Sequence, residues 1–204
     1  MRIRSGGAAS YFAGIDEAGR GPLAGPVAVG IVLARERNPA LSFFKEVKDS
    51  KQLSSQKRLL VYEGLKGAKE RGEISFAVSL VGSETIDRVG INNAVKTAVK
   101  RCLLRLACDN GKTRVLLDGG LRAPREFIFQ ETIIRGDEKE ALIALASIVA
   151  KVTRDRKMER FSARYPNYFF DEHKGYGTDL HRKLIRRYKP CAIHRMTYLK
   201  RVKF

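Results

Sequence analysis

The sequence predicts an α/β fold: a mixed central sheet with helices on its faces and a helical C-terminal portion. Three observations lead there. Short apolar runs at 11–16, 26–34 and 113–118 read as buried strands. Amphipathic stretches at 54–71, 90–110 and 138–160 read as helices. Strands come first, strands and helices then alternate, and helices close the chain, which is the order of a sheet covered on its faces.

The first run, 11–16, ends in acids and glycine, and the second, 26–34, is rich in valine. Helix 54–71 sets Leu59, Leu60, Tyr62 and Leu65 at helical spacing, with Ser54 or Ser55 as its cap and Gly72 past its end. Residues 73–81 alternate as a strand does. Helix 90–110 carries the stripe Val95, Ala98, Val99, Cys102, Leu103 and Leu106, and Asn110-Gly111 stops it. Strand 113–118 ends at Gly119-Gly120, and 126–134 reads as another strand. Leu142, Leu145, Ala146, Val149 and Val152 stripe the helix at 138–160. A last helix covers 178–188, ahead of Pro190. Residues 1–10 read as a flexible lead-in and 11–204 as one domain.

At 204 residues and 44% hydrophobic, the chain can bury a real core. Forty Lys and Arg against 22 Asp and Glu leave a formal charge of +18, which favours a polyanionic partner, most often nucleic acid. Ten Lys/Arg and the single acid Asp179 fall in 174–204, a surface suited to phosphates. Cys102, Cys108 and Cys191 lack any paired spacing, which argues for a reducing compartment and against a disulfide framework or zinc site. No apolar run is long enough to span a membrane, and none follows Arg2 and Arg4 as a secretory signal requires. The expectation is a cytoplasmic monomer.

The acids carry the chemistry. Asp16 and Glu17 end a strand, Asp118 ends another before Gly119, and Asp137 follows Gly136 at a helix start. Asp118 alone could be a turn residue and Asp137 alone an N-cap. The Asp16-Glu17 pair, placed between a buried strand and glycines, is harder to explain without a function. Two carboxylates about 4 Å apart repel by roughly 4 kcal/mol at an effective dielectric near 20, so a cluster needs a cation or a proton. Oxygen donors without nearby His or Cys point to Mg²⁺ or Mn²⁺. Neighbours on a strand point to opposite faces, so sharing one site requires β-structure to bend or end at this pair.

The stretch DEAGRGPLAGPV at 16–27 has glycines that let backbone amides approach a ligand, with Arg20 placed to fork onto a phosphate. GIDEAGRGPLAGPV, KDSKQLS, GINNAVKTAV, LLDGG, RGDEKEALIALASIVAKVTRD, HKGYGT and IHRMTY follow one another along the chain. In these motifs and their order the sequence resembles ribonuclease HII, the type 2 ribonucleases H. The resemblance implies a ribonuclease H-like fold and a four-carboxylate site of Asp16, Glu17, Asp118 and Asp137 holding Mg²⁺ or Mn²⁺, two ions with substrate bound. It implies that Gly19, Arg20 and Gly21 sense the ribose 2′-hydroxyl and that Tyr176 packs on the sugar at the RNA–DNA junction. Lys48 and Lys51 are expected to grip phosphates. The partner implied is an RNA–DNA hybrid, or DNA containing ribonucleotides.

There are departures from the family pattern. Glu138, Glu140 and Leu145 stand where alanines and serine are usual, leaving open which acid completes the site. Asp155 lies 18 residues past Asp137, about five helical turns, and reads as structural, pairing with Arg154 or Arg156. His194 and Arg195 could contact substrate or pack, and His173 reads as a loop residue. Type 3 enzymes carry an added N-terminal domain, whereas about fifteen residues precede the acid pair here. A non-catalytic hybrid binder would not need the acids, and a DNA nuclease of the same fold would not need Gly19–Gly21 or Tyr176. A sliding-clamp contact through TYLKRVKF rests only on its terminal aromatic residue.

Overall fold

The computed structural model describes residues 10–39 and 53–200. Lys48, Lys51 and residues 1–9 of the expected lead-in lie outside the described residues. Strands β1 (Tyr11–Ala18), β2 (Val27–Ala34), β3 (Ser75–Val81), β4 (Thr113–Asp118) and β5 (Gln130–Ile133) form one sheet in the order β3-β2-β1-β4-β5. β1–β2 and β2–β3 are antiparallel, while β1–β4 and β4–β5 are parallel, so the sheet is mixed as expected.

Helices cover both faces. Ala13, Ile15, Val29, Ile31, Val115 and Leu117 share a buried cluster with Val95, Val99 and Cys102 of α3 (Ile91–Arg105). Behind the sheet, Val32 packs with Val61 and Leu65 of α1 (Ser55–Glu70) and with Leu142, Leu145 and Val149 of α5 (Ala141–Arg164). α1 starts where Ser54 Oγ accepts the Lys57 amide, one of the two caps expected. α5 lies on the floor of β1 and β2 because Gly14 and Gly30 have no side chain. A Cβ on Gly14 would stand 2.2 Å from the Leu142 backbone, and one on Gly30 2.3 Å from the Ala146 carbonyl. That close approach puts the middle of α5 beside the end of β1.

Several boundaries differ from the expectation. α3 stops at Arg105 rather than 110, because Ala107 turns left-handed at φ 48° and the Cys108 amide folds back onto the Leu103 carbonyl. β5 begins at Gln130 rather than 126, since the Phe127 and Ile128 amides bond in turns to Pro124 and Glu126. The helix expected over 138–160 is two: α4 (Gly136–Lys139) and α5, broken at Glu140, which is extended at φ −119° and ψ 119°. α7 (Asp179–Tyr188) matches the expected last long helix. α2 (Ser83–Val89), α6 (Phe170–His173), α8 (Met196–Leu199) and a 3-10 turn at Pro166–Tyr168 are too short to show a period. Leu23, Met158, Tyr168, Phe170 and Ile185 form a third core that anchors the C-terminal helices to the loop after β1. Among the described residues no helix is long and apolar enough to cross a membrane.

Candidate active site

β1, β4, α4 and α5 each bring one wall to a cavity of about 330 Å³. Asp16, Glu17, Asp118 and Asp137 all line it, together with Gly19, Arg58, Ser147, Lys151 and Tyr176. Four acids separated by up to 121 positions meet because parallel β1 and β4 end side by side, the place where ligand sites collect in such sheets.

The expected end of β1 at the acid pair does not occur. β1 runs on to Ala18 against β2, while its ladder with β4 stops at Ile15–Leu117. Beyond that point Asp16 and Glu17 have no ladder partner on β4, and Asp118 stands beside them in the cavity instead. Asp16 folds along its own chain, its Oδ1 accepting the Glu17 amide at 2.7 Å. Asp16 and Asp137 are buried, whereas Glu17 and Asp118 are half-buried rather than shut off from water. Asp118 Oδ1 accepts the Gly136 amide at 2.7 Å, which ties the end of β4 to the turn that presents Asp137.

The extra acids noted in the sequence are occupied elsewhere. Arg37 forks onto Glu140 at 2.6 and 3.0 Å, which accounts for the break between α4 and α5. The break places Asp137 on the short α4 instead of at the head of the long helix. Glu138 is exposed and faces Arg135 at 3.8 Å. Asp155 pairs with Lys151 at 2.9 Å, one turn back on α5, and not with Arg154 or Arg156.

Burial raises the Asp16 carboxyl to about 8, with repulsion from Glu17 and Asp118 adding to it. Burial also raises Glu17; Arg20, 3.4 Å away, works against that shift, and Asp118 adds to it. Glu17 Oε2 is buried with no hydrogen-bond partner. Gathered oxygen donors, a carboxyl that burial and its acidic neighbours raise, and an orphaned carboxylate oxygen fit a hard divalent cation by their chemistry. Among the described residues, however, no three His, Cys, Asp or Glu side chains stand ready-made to hold an ion. At least three of the four carboxylates have an oxygen engaged within the protein: Asp16 by the Glu17 amide, Glu17 by Arg20 and Asp118 by the Gly136 amide.

The Gly19–Gly21 segment is held by arginines whose role the sequence did not reveal. Arg195 is fully buried and donates to the carbonyls of Gly19, Arg20 and Gly25 at 2.7, 2.8 and 3.0 Å. Arg154, also fully buried, donates to Pro26 and Lys174 at 2.9 Å. Gly19 has φ +91°, and a Cβ there would sit 2.1 Å from Arg154 Nε. With the carbonyls turned inward, no amide of Gly19, Arg20 or Gly21 donates to a described residue. Arg20 itself reaches Glu17 and, at 2.5 Å, Asn92 of α3. Arg195 is therefore a packing residue, and a positioning one.

Tyr176 is 42% exposed at the rim, with the guanidinium of Arg154 5.6 Å and the ammonium of Lys151 5.8 Å from its ring centre. Behind it lie all three histidines of the chain. The Cys191 amide donates to His194 Nδ1 at 2.9 Å, which leaves the proton on Nε2. That proton goes to His181 Nε2 at 3.1 Å, and His181 Nδ1–H goes to the Tyr176 carbonyl at 2.9 Å. His173 Nδ1 accepts the Gly175 amide, so its Nε2–H donates to Tyr168. Burial lowers His181 to about 3 and His194 to about 4, and it lowers His173 too. His173 and His194 are thus buried supports of the Tyr176 loop: His173 is more than a loop residue, and for His194 packing is the one of its two open readings that the burial supports. Ser147 and Lys151 were legible in principle: they fall one turn apart in the quoted motif, on the helix face that meets β1.

Comparison with known proteins agrees with this geometry. The Ribonuclease HII family profile matches residues 13–204. A Ribonuclease HII from Caldicellulosiruptor bescii is 42% identical over 193 residues, spanning 94% of this chain and 88% of its own. The solved RNase HII of Archaeoglobus fulgidus, in a complex with PCNA, is 27% identical, covers 95% of this chain and 97% of its own, and superposes with a TM-score of 0.73. The ribonuclease H2 of Pyrococcus horikoshii is 26% identical, covers 92% and 93%, and gives 0.66. A mixed sheet ending in a four-acid cavity, and sequence agreement along nearly its whole length, place this chain in the ribonuclease HII family.

Proposed function

We propose that this ribonuclease H cuts the RNA strand of RNA–DNA hybrids, and duplex DNA on the 5′ side of single embedded ribonucleotides. The observation that carries this reading is the single cavity lined by Asp16, Glu17, Asp118 and Asp137 beside the Gly19–Gly21 segment, whose amides donate to no described residue. The four carboxylates would hold Mg²⁺ or Mn²⁺, two ions with substrate bound. Such ions supply Lewis-acid stabilisation and a water of lowered pKa. Water attacks the scissile phosphorus, the 3′-oxygen leaves, and the products carry a 5′-phosphate and a 3′-hydroxyl.

This chain's own groups select and orient. The 2′-hydroxyl distinguishes RNA from DNA, and free backbone amides at Gly19, Arg20 and Gly21 are suited to bind it. Tyr176, exposed at the rim and backed by two cations, packs on the neighbouring sugar. Lys48, Lys51 and the basic C-terminal region contact phosphates. The role in the cell is removal of ribonucleotides from DNA and of RNA primers. Three free thiols agree with a reducing cytoplasm. Contact with a sliding clamp has its support in the PCNA complex of the Archaeoglobus fulgidus protein alone.

The test is cleavage of a duplex with one ribonucleotide, set against an all-DNA duplex of the same sequence, with Mg²⁺ or Mn²⁺ and with chelator. Metal-dependent cutting of the first alone supports the reading. Equal cutting of both would favour a DNA nuclease, and tight binding without turnover a non-catalytic binder.

A further inference from the structure

A second, larger hollow of about 600 Å³ lies between α3 and the loop that follows β4. Lys96, Lys100, Arg122 and Arg125 line it with Thr97 and Gln130, and no acid does. Lys96, Lys100 and Arg125 are exposed and make no ion pair with any described residue. Arg122 bonds only the Thr132 hydroxyl and the rest of its fork stays open. What sets this group apart is its concavity: four cations face one hollow without an acid in its lining, whereas Lys66, Arg71 and Lys174 are each paired, with Glu63, Glu73 and Glu159. A concave group of like charges repels itself and focuses its field outward, so it is suited to an anion that spans several of them.

We propose that this cleft is a second nucleic-acid contact, holding backbone phosphates of the duplex arm that extends away from the scissile bond. Three features point to a duplex rather than a small anion. Asn92, Lys96 and Lys100 recur every four residues, so they share one face of α3. The stripe from Asn92 to Lys100 is about 12 Å long at 1.5 Å per residue. One strand of a duplex presents roughly three to four phosphates over that length of axis. The stripe also begins at the proposed active site, since Asn92 holds Arg20 at 2.5 Å. A strand seated at Gly19–Gly21 therefore has a continuous basic path along α3. This inference rests on the proposed nuclease reading and extends it to the length of duplex engaged.

The experiment compares K96Q/K100Q with wild type and with K66Q/R71Q, which removes the same charge from a distant, ion-paired site. Binding to a duplex with one ribonucleotide is measured in Ca²⁺ across a salt series, and cleavage in Mg²⁺ at saturating duplex. The slope of log affinity against log salt should become shallower by about 1.8 for K96Q/K100Q, at about 0.9 per phosphate contact. K66Q/R71Q should keep the wild-type slope. Melting temperature and saturated turnover of K96Q/K100Q should stay at wild-type values, because neither lysine has a partner in the fold. A K96Q/K100Q slope equal to that of wild type, or to that of K66Q/R71Q, overturns the cleft while wild-type cleavage still upholds the nuclease. Wild type that neither binds nor cuts the duplex overturns both.

Discussion

Arg195, fully buried, donates its shortest hydrogen bond, 2.7 Å, to the carbonyl of Gly19, 176 positions earlier in the chain. Among the described residues no carboxylate pairs directly with this guanidinium; its acceptors are the carbonyls of Gly19, Arg20 and Gly25. Burial pushes it down to about 10, still charged at neutral pH. The last segment of the chain thereby shapes the segment that we propose reads the sugar.

Arg195→Met removes three donors and leaves the Gly19 and Gly25 carbonyls unsatisfied, while that of Arg20 keeps the Tyr198 hydroxyl, at about 1–3 kcal/mol for each one that finds no water. A loss of about 3 kcal/mol would lower the melting temperature by roughly 6–12 °C in a domain of this size. The remaining folded protein should lose its preference for a ribonucleotide over an all-DNA duplex. Thermal unfolding and paired cleavage assays check both points; a stable variant with unaltered preference would remove Arg195 from the account.

Gly19→Ala meets two obstacles, φ +91° and a Cβ 2.1 Å from Arg154 Nε. The left-handed backbone alone costs roughly 1–2 kcal/mol. Because the four acids are untouched, metal binding followed by calorimetry should survive while turnover on a ribonucleotide duplex falls at least about tenfold, the equivalent of 1.4 kcal/mol in the barrier. Loss of metal binding in this variant would show that the segment supports the acids as well.

Stability should respond to pH through two groups of opposite sign. The folded Asp16 carboxyl sits at about 8 against an ordinary 3.8. Its contribution is therefore complete below about 4 and is lost as pH rises through 8. His181 and His194 sit at about 3 and 4 against 6.5, so the unfolded chain binds their protons first as pH falls. Their contribution is present above 6.5 and is lost as pH falls toward 3–4. Denaturant titrations of metal-free protein should find that Asp16→Asn relieves the loss between pH 6 and 8. His181→Gln should flatten the loss between pH 6.5 and 4. Profiles unchanged by either substitution would show that these groups do not carry the pH dependence.

The sheet and its long helices were readable because each element has a strong period and a chemical stop. Ser54 caps α1, Asp118 ends β4, and the valines of β2 are buried on both faces. Asp16, Glu17 and Asp118 stood out because apolar runs end at them; that Asp137 joins them came from the family resemblance. What the sequence withheld depends on partners remote in the chain. The break at Glu140 is made with Arg37, 103 residues away. Arg195 could be read either as a substrate contact or as packing, and Arg154 only as a partner of Asp155, since a buried arginine surrounded by carbonyls has no local signature. His173, read as a loop residue, and His194, left open between substrate and packing, make sense only with His181 as a chain of tautomers behind Tyr176.

The central claim, a metal-assisted cut at the four-acid cavity, is tested most directly with Asp118→Asn. The amide oxygen can still accept the Gly136 amide, so the fold and the Asp137 turn are kept while one charge is lost. Cleavage of a duplex with one embedded ribonucleotide is measured with Mg²⁺ and with Mn²⁺, beside binding of the same duplex. The account predicts retained binding and a fall in cleavage of at least about 100-fold, the loss of several kcal/mol of charge stabilisation. Cleavage at the wild-type rate would contradict it.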